Sequence, residues 1–173
     1  MVEIRKLPPG RWRDYRTLRL ESLKGSPLAF GSAFEEEAKF GEGEWKQRMK
    51  DAHFAMEGEA PIGMVVLTVS SGAKFRHIAE IYSFYVRRSC RGRGVGTALL
   101  RHAIGLASSD GRLVKARLYV NSQQRTAIRM YEKNGFSVVG RLRNEMKVGS
   151  RFYSMLIMEK VLRRQKAEPG SSH

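Results

Sequence analysis

Hydrophobic positions along the chain keep one rhythm for a while and then change to another, and each change predicts an element. Residues 2–7 (VEIRKL) read as a short strand, stopped by Pro8, Pro9 and Gly10. Between Arg11 and Lys24, the residues Trp12, Tyr15, Leu18 and Leu23 recur near helical spacing, with Leu20 beside them, until Gly25, Ser26 and Pro27 break the run. The stretch from 27 to 45 is irregular with helical pieces, and a turn or two of helix is predicted over Trp45–Lys50. Three strands follow at 53–57, 61–69 and 78–86, the last after a basic loop. From Val95 to Ala107 the period lengthens, and Val95, Ala98, Leu99, His102, Ala103 and Leu106 share one face of an amphipathic helix that Asp110 and Gly111 end. Residues 114–120 alternate cleanly as a strand. Residues 123–133 read as a helix, with Asn121 or Ser122 capping its start and Gly135 near its end. Strands at 136–142 and 152–161 close the chain. The order is that of a mixed α/β domain, with a mostly antiparallel sheet of six to seven strands and two crossover helices.

Composition narrows the class. The 173 residues suit one domain, predicted over 1–166. The small polar residues 167–173 read as a flexible end or part of a tag. No apolar run approaches the ~20 residues a membrane helix needs, and the start has no apolar core of a secretion signal, so an intracellular, cytoplasmic protein without a membrane partner is expected. Cys90 is the single cysteine, which excludes an internal disulfide and a cysteine-based zinc cluster; His53, His77 and His102 show no metal-ligand spacing, and no metal is expected. The net charge is +15, with 21 arginines and 11 lysines, and such a balance favours anionic partners: phosphorylated cofactors, nucleic acid or acidic surfaces.

The stretch 91–100 (RGRGVGTALL) sits where a strand feeds a helix. Backbone N–H groups at a helix start lack internal partners and bind anions, helped by the positive end of the helix dipole. Gly92, Gly94 and Gly96 remove Cβ atoms, so a phosphate can approach the main chain, and Arg91 and Arg93 add charge. Other glycine-rich loops fit worse: the dinucleotide fingerprint would need glycine at Thr97, and no P-loop or kinase motif set is present. The plainer alternative is a tight turn with no ligand.

In strand 78–86, a period of 2 puts Ile78, Glu80, Tyr82, Phe84 and Val86 on one face, with Glu80 its only charge. A carboxylate among apolar neighbours would have a raised pKa suited to a general base; alternatively it sits at a sheet margin, satisfied by an arginine. Glu80 lies six residues before Val86, roughly 20 Å along a strand at ~3.3 Å per residue. Chemistry at Glu80 on a ligand anchored at 91–97 requires a long, thin arm, as coenzyme A has: a pyrophosphate, a pantetheine and a thiol.

The stretch AEIYSFYVRRSCRGRGVGTALL (79–100) resembles the central motif of the GNAT superfamily of N-acetyltransferases, whose R/Q-x-x-G-x-G/A signature stands here as Arg91 to Gly96. The block 118–136 (LYVNSQQRTAIRMYEKNGF) resembles the family's next block, and LRLESLKGSPLAFGS (18–32) its variable first helices. The resemblance implies a sheet with a splay between its central strands, flanked by about four helices, and direct transfer of acetyl from acetyl-CoA to an amine. It implies that the amides of Arg91, Gly92, Arg93, Gly94, Val95, Gly96 and Thr97 hold the pyrophosphate, and that Phe84, Tyr85 and Val86 run beside the pantetheine. It makes Glu80 the base, directly or through water, and Tyr131 both a cofactor contact and the acid for the leaving thiolate. Asn121 matches a residue that often contacts the cofactor or the reaction centre.

The chemistry is consistent with those residue types. A chain N-terminus has a pKa near ~8 and lysine near ~10.4, so a base matters more for lysine-like acceptors; a tyrosine near ~10 is protonated at neutral pH and can donate. Tyr131 could instead simply pack, since Ala127, Ile128 and Tyr131 share a helical face. Gln124 stands where a second asparagine often opens the helix, and Cys90 reads as a loop residue. The acceptor, a primary amine of unspecified kind, is expected between the 25–37 and 142–150 loops, where Glu35, Glu36 and Glu37 could attract a cation. Two other readings stand beside the enzyme: a nucleic-acid-binding module prompted by the charge, and a silent acyl-CoA sensor of the same fold. A homodimer is compatible with all three.

Overall fold

A computed structural model describes residues 2–163. The polar end predicted at 167–173 lies outside the described residues, as do Met1 and residues 164–166 of the expected domain. Among the described residues there are seven strands and five α-helices. The chain runs β1 (Glu3–Arg5), α1 (Trp12–Gly25), α2 (Phe34–Glu37), α3 (Glu42–Met49), β2 (Ala52–Glu57), β3 (Ala60–Val69) and β4 (Ile78–Val86). It continues through α4 (Val95–Ser109), β5 (Lys115–Asn121), α5 (Arg125–Lys133), β6 (Ser137–Val148) and β7 (Arg151–Val161), with short 3-10 turns at Pro9–Arg11 and Arg88–Cys90.

The strands form one sheet in the order β1-β2-β3-β4-β5-β7-β6. Every neighbouring pair is antiparallel except β4 with β5, whose link is made by the crossover helix α4. Two apolar clusters lie on opposite faces. On one, Val95, Leu99, Leu100, Ala103 and Ala107 of α4 pack on Val65, Ala79, Ile81, Ala116 and Leu118. Leu106, predicted to share that buried face, is 37% exposed, and Leu100 and Ala107 take the buried positions instead. On the other face, Tyr15, Leu18 and Leu23 of α1 and Trp45 of α3 cover Phe54, Met64, Val66 and Tyr85. Tyr15 makes edge contacts with both Trp45 and Phe54, 5.7 and 5.8 Å between centroids. Each cluster buries side chains that recur every three or four residues on its helix, so burial of an amphipathic face sets both orientations.

Two local departures from the sequence reading matter below. Alternation in β4 does not persist to Val86. Ser83 takes a positive φ of 51°, and the register against β3 jumps from Val66↔Tyr82 to Met64↔Tyr85. This bulge places two residues, Ser83 and Phe84, opposite one, Val65. Phe84 and Val86 therefore side with Ala79 and Ile81 in the α4 cluster, while Tyr85 joins the α1 cluster. Residues 143–148, read as loop, continue β6 past an irregularity at Asn144 (φ 53°), so the turn before β7 shrinks to Gly149 and Ser150.

Candidate active site

β4 and β5 pair over Ile78–Ile81 against Lys115–Leu118 and then part. Parallel strands that stop pairing leave main-chain groups and side chains facing a gap. A cleft of about 990 Å³ opens there, lined by Ile81 to Val86 on one side and Leu118 to Val120 on the other. The bulge at Ser83 lies within this stretch of β4, and a residue other than glycine held at positive φ carries a small local strain.

At one end of the cleft stands the glycine turn. Arg91 Nε donates to the Val86 carbonyl at 3.0 Å, and its guanidinium lies 5.7 Å from the Tyr85 ring centre, which braces the turn against the end of β4. Gly92 and Gly94 hold φ of 75° and 80°, where a Cβ would strain the chain. Gly96 has another reason to be small: a Cβ there would meet Met130 Sδ at 3.3 Å and Phe84 Cε1 at 3.7 Å. The first helical bond of α4 runs from Ala98 N to Gly94 O at 3.0 Å, and among the described residues none of the amides from Gly92 to Thr97 donates to a protein acceptor. Six free N–H groups at the positive end of a 15-residue helix fit a diphosphate.

Tyr131 of α5 also lines the cleft. It is 6% exposed, and its ring meets Phe84 edge-on at 6.0 Å and packs against Phe136. Desolvation pushes its hydroxyl well above the usual tyrosine range, so the group keeps its proton in the neutral range and is able to donate it.

The remaining sequence-predicted residues fall into two sets. Phe84, Tyr85, Val86, Arg91, Gly92, Gly94, Val95, Gly96, Thr97 and Tyr131 all line the cleft. Arg93, Asn121 and Glu80 do not. Arg93 reaches away to Glu57 at 2.5 Å. Asn121 is buried, and its Oδ1 accepts from the Gln123 amide at 2.9 Å, so it shapes the turn into α5. Glu80 has the environment of the plainer reading. Its Oε1 accepts from Ser70 Oγ at 2.5 Å and from Arg117 Nη2 at 2.5 Å and Nε at 3.2 Å. Arg117 and Ser70 thus surround a carboxylate expected among apolar side chains, because parallel pairing sets Arg117 directly opposite it.

Another part of the cleft is lined by residues to which the sequence assigns no functional role. Tyr15 and Arg19 of α1, Phe30 of the following loop, Arg48 of α3 and Tyr119 of β5 all line it. Arg19 and Glu37 form a buried pair with bonds of 2.9 and 2.8 Å, and Arg48 Nη1 approaches Glu37 at 3.4 Å. Burial pushes the Glu37 carboxyl up, but the hydrogen bonds and charge of Arg19 outweigh that and hold it below the usual range. Glu37 is therefore spent on holding α2 to α1 and is not free for a cationic ligand. Of the two loops expected around the acceptor, residues 26 and 29–32 line the cleft and the 142–150 segment does not. Among the described residues no group of three or more His, Cys, Asp or Glu could hold a metal ion, and no helix is long and apolar enough to cross a membrane.

Residues 14–136 match the acetyltransferase (GNAT) family. The chain belongs to the GNAT family. Within it, this GNAT chain is 36% identical over 93 residues to an uncharacterized N-acetyltransferase of Methanocaldococcus jannaschii; the match takes in 52% of this chain and 41% of that relative's length. The fold matches a GNAT acetyltransferase from Streptococcus pneumoniae with a TM-score of 0.82, at 20% identity over 93% of this chain and 99% of the other. It also matches a phosphinothricin acetyltransferase from Sinorhizobium meliloti in complex with AcCoA, with a TM-score of 0.77 at 18% identity over 92% and 88% of the two chains. The mixed sheet, with its single parallel seam, is the GNAT fold that the sequence motifs imply.

Proposed function

We propose that this GNAT protein is an acetyl-CoA-dependent N-acetyltransferase that moves an acetyl group directly to a primary amine. The observation that carries the reading is the run of free amides from Gly92 to Thr97 at the mouth of a cleft between two parted strands. These amides would hold the pyrophosphate, and the edge of β4 at Phe84–Val86 would run beside the pantetheine as an added strand does. Bound there, acetyl-CoA supplies an activated acyl group. A main-chain amide near the bulge, that of Phe84, would polarise the acyl carbonyl. The Tyr131 hydroxyl, which keeps its proton at neutral pH because burial raises it, would give that proton to the departing sulfur.

Thermal denaturation with and without acetyl-CoA, followed by an amine-library screen with free-thiol detection, tests the reading. A rise in melting temperature at millimolar acetyl-CoA and thiol release with at least one amine are expected; no stabilisation would count decisively against it.

A further inference from the structure

Among the described residues the β4–β5 seam is the one parallel contact in the sheet, and it ends at Ile81↔Leu118. Parallel pairing is slightly weaker per residue than antiparallel pairing, so the place where the strands part needs a fastening. One position below the opening, Glu80 and Arg117 stand opposite each other in register. Their side chains are 15% and 24% exposed, and they are joined by two bonds to one carboxylate oxygen, of 2.5 and 3.2 Å. Ser70, just past the end of β3, adds its hydroxyl to that oxygen at 2.5 Å and lies 3.5 Å from Arg117 Nη2. Beyond Arg117, Glu159 of β7 is its register partner and pairs with Lys115 at 2.6 Å. Charges thus alternate across three neighbouring strands at the foot of the cleft, on the face that carries Tyr82 above them.

We infer that Glu80 and Arg117 are positioning residues: their ion pair fixes where β4 and β5 separate, and so fixes the width of the channel that receives the thioester arm. This rests on the proposed function, since it assigns the arm to that channel. It also removes Glu80 from proton transfer, because the carboxylate is held by Arg117 and Ser70 and does not line the cleft. The base is then outside this pair, and acceptor deprotonation proceeds without Glu80.

Titration calorimetry with acetyl-CoA, together with steady-state kinetics over pH, separates the two roles. For Glu80→Ala, loss of the clasp raises the acetyl-CoA Kd and KM about tenfold or more, while kcat at saturation falls no more than about threefold and the acidic limb of the pH profile stays in place. The exchange Glu80→Arg with Arg117→Glu restores most of the affinity and keeps kcat within about threefold, and a base at position 80 would not permit the retained kcat. Glu80→Gln, which keeps the shape and a carbonyl acceptor for Arg117, guards against a variant that does not fold; it is expected to lose less affinity than Glu80→Ala. A hundredfold fall in kcat for Glu80→Gln with KM unchanged, or loss of the acidic limb, would overturn the inference and make Glu80 the base. Binding by the unmodified protein that is indifferent to all the variants overturns it too and leaves the proposed function standing. No binding by the unmodified protein removes both.

Discussion

Two parts of the cleft lining are built by opposite means. At the glycine turn, the N–H donors come from six consecutive residues, Gly92 to Thr97, and neighbouring backbone makes the site. In the other part, Tyr15, Arg19, Phe30, Arg48 and Tyr119 come from α1, a loop, α3 and β5, and the fold makes the site. A surface made from contiguous backbone needs only a local conformation. A surface assembled from distant elements depends on ion pairs such as Arg19–Glu37, which serve stability first. The contrast teaches that the two parts of the cleft fail in different ways: one by local substitution, the other by loss of packing.

The largest expected effect lies in the assembled part. Glu37→Ala leaves Arg19, 4% exposed, without its partner, and Arg19 Nη1 already has none. Removing one member of a buried pair typically costs about 3–5 kcal/mol. A fall in stability of that order in chemical denaturation is expected, whereas a change below about 1 kcal/mol would show that the pair is better solvated than its burial implies.

At the glycine turn, binding should collapse while the protein stays folded. Gly94→Val places a β-branched residue at φ 80°, a region such residues avoid, and strains the folded chain by about 1–3 kcal/mol. In the folded variant it should weaken acetyl-CoA about a hundredfold, or ~2.7 kcal/mol. Equal affinity in the variant would mean that these amides do not hold the cofactor. Tyr131→Phe comes next in size. With packing against Phe84 and Phe136 kept, kcat at neutral pH should fall about tenfold to a hundredfold with the acetyl-CoA KM unchanged. Because burial raises this hydroxyl, no loss of rate from its ionisation is expected up to about pH 10; an unchanged kcat would leave Tyr131 a packing residue.

The same contrast explains what could be read from sequence. The turn at 91–97, the helix that starts at Val95 and the strand at 78–86 are local, and their residue types carry their conformations. Arg117 stands 37 residues from Glu80. Only the parallel register brings them together, and no periodicity within either strand encodes that register. The bulge at Ser83 was equally hidden, since serine is no special marker of positive φ and one extra residue reverses every later side chain in the strand. Residues 143–148 looked like a loop because the edge strand β6 carries exposed charges such as Arg143 and Lys147, a usual defence of sheet edges that hides a strand from hydrophobic patterning. Neither Arg19, although it lies in the block 18–32, nor Arg48 is given a role by the sequence, because each reads as an ordinary polar position on an amphipathic helix.

The smallest expected effect concerns how the contiguous part is held from behind. His102 of α4 and His53 of β2 meet with 3.0 Å between Nε2 and Nδ1, so the helix whose first turn carries the free amides is tied to β2 by two imidazoles. Desolvation first, then the charges of His102 and Lys6, push His53 down to about 4, with Asp51 acting the other way; desolvation also lowers His102. Below the ordinary pKa near 6.5 the unfolded chain takes up protons that the folded pair refuses. The contribution is therefore full above about pH 6.5 and is lost as pH falls toward 4. Because the pair is only half-buried, solvent screening limits the change to roughly 1–2 kcal/mol. Melting curves at pH 7.5 and pH 5 should show that loss, and a His53→Phe, His102→Leu double variant should show a shallower dependence. If the double variant follows the same pH dependence as the parent, the carboxylates and not this pair govern the acid response, and the glycine turn is supported by apolar packing alone.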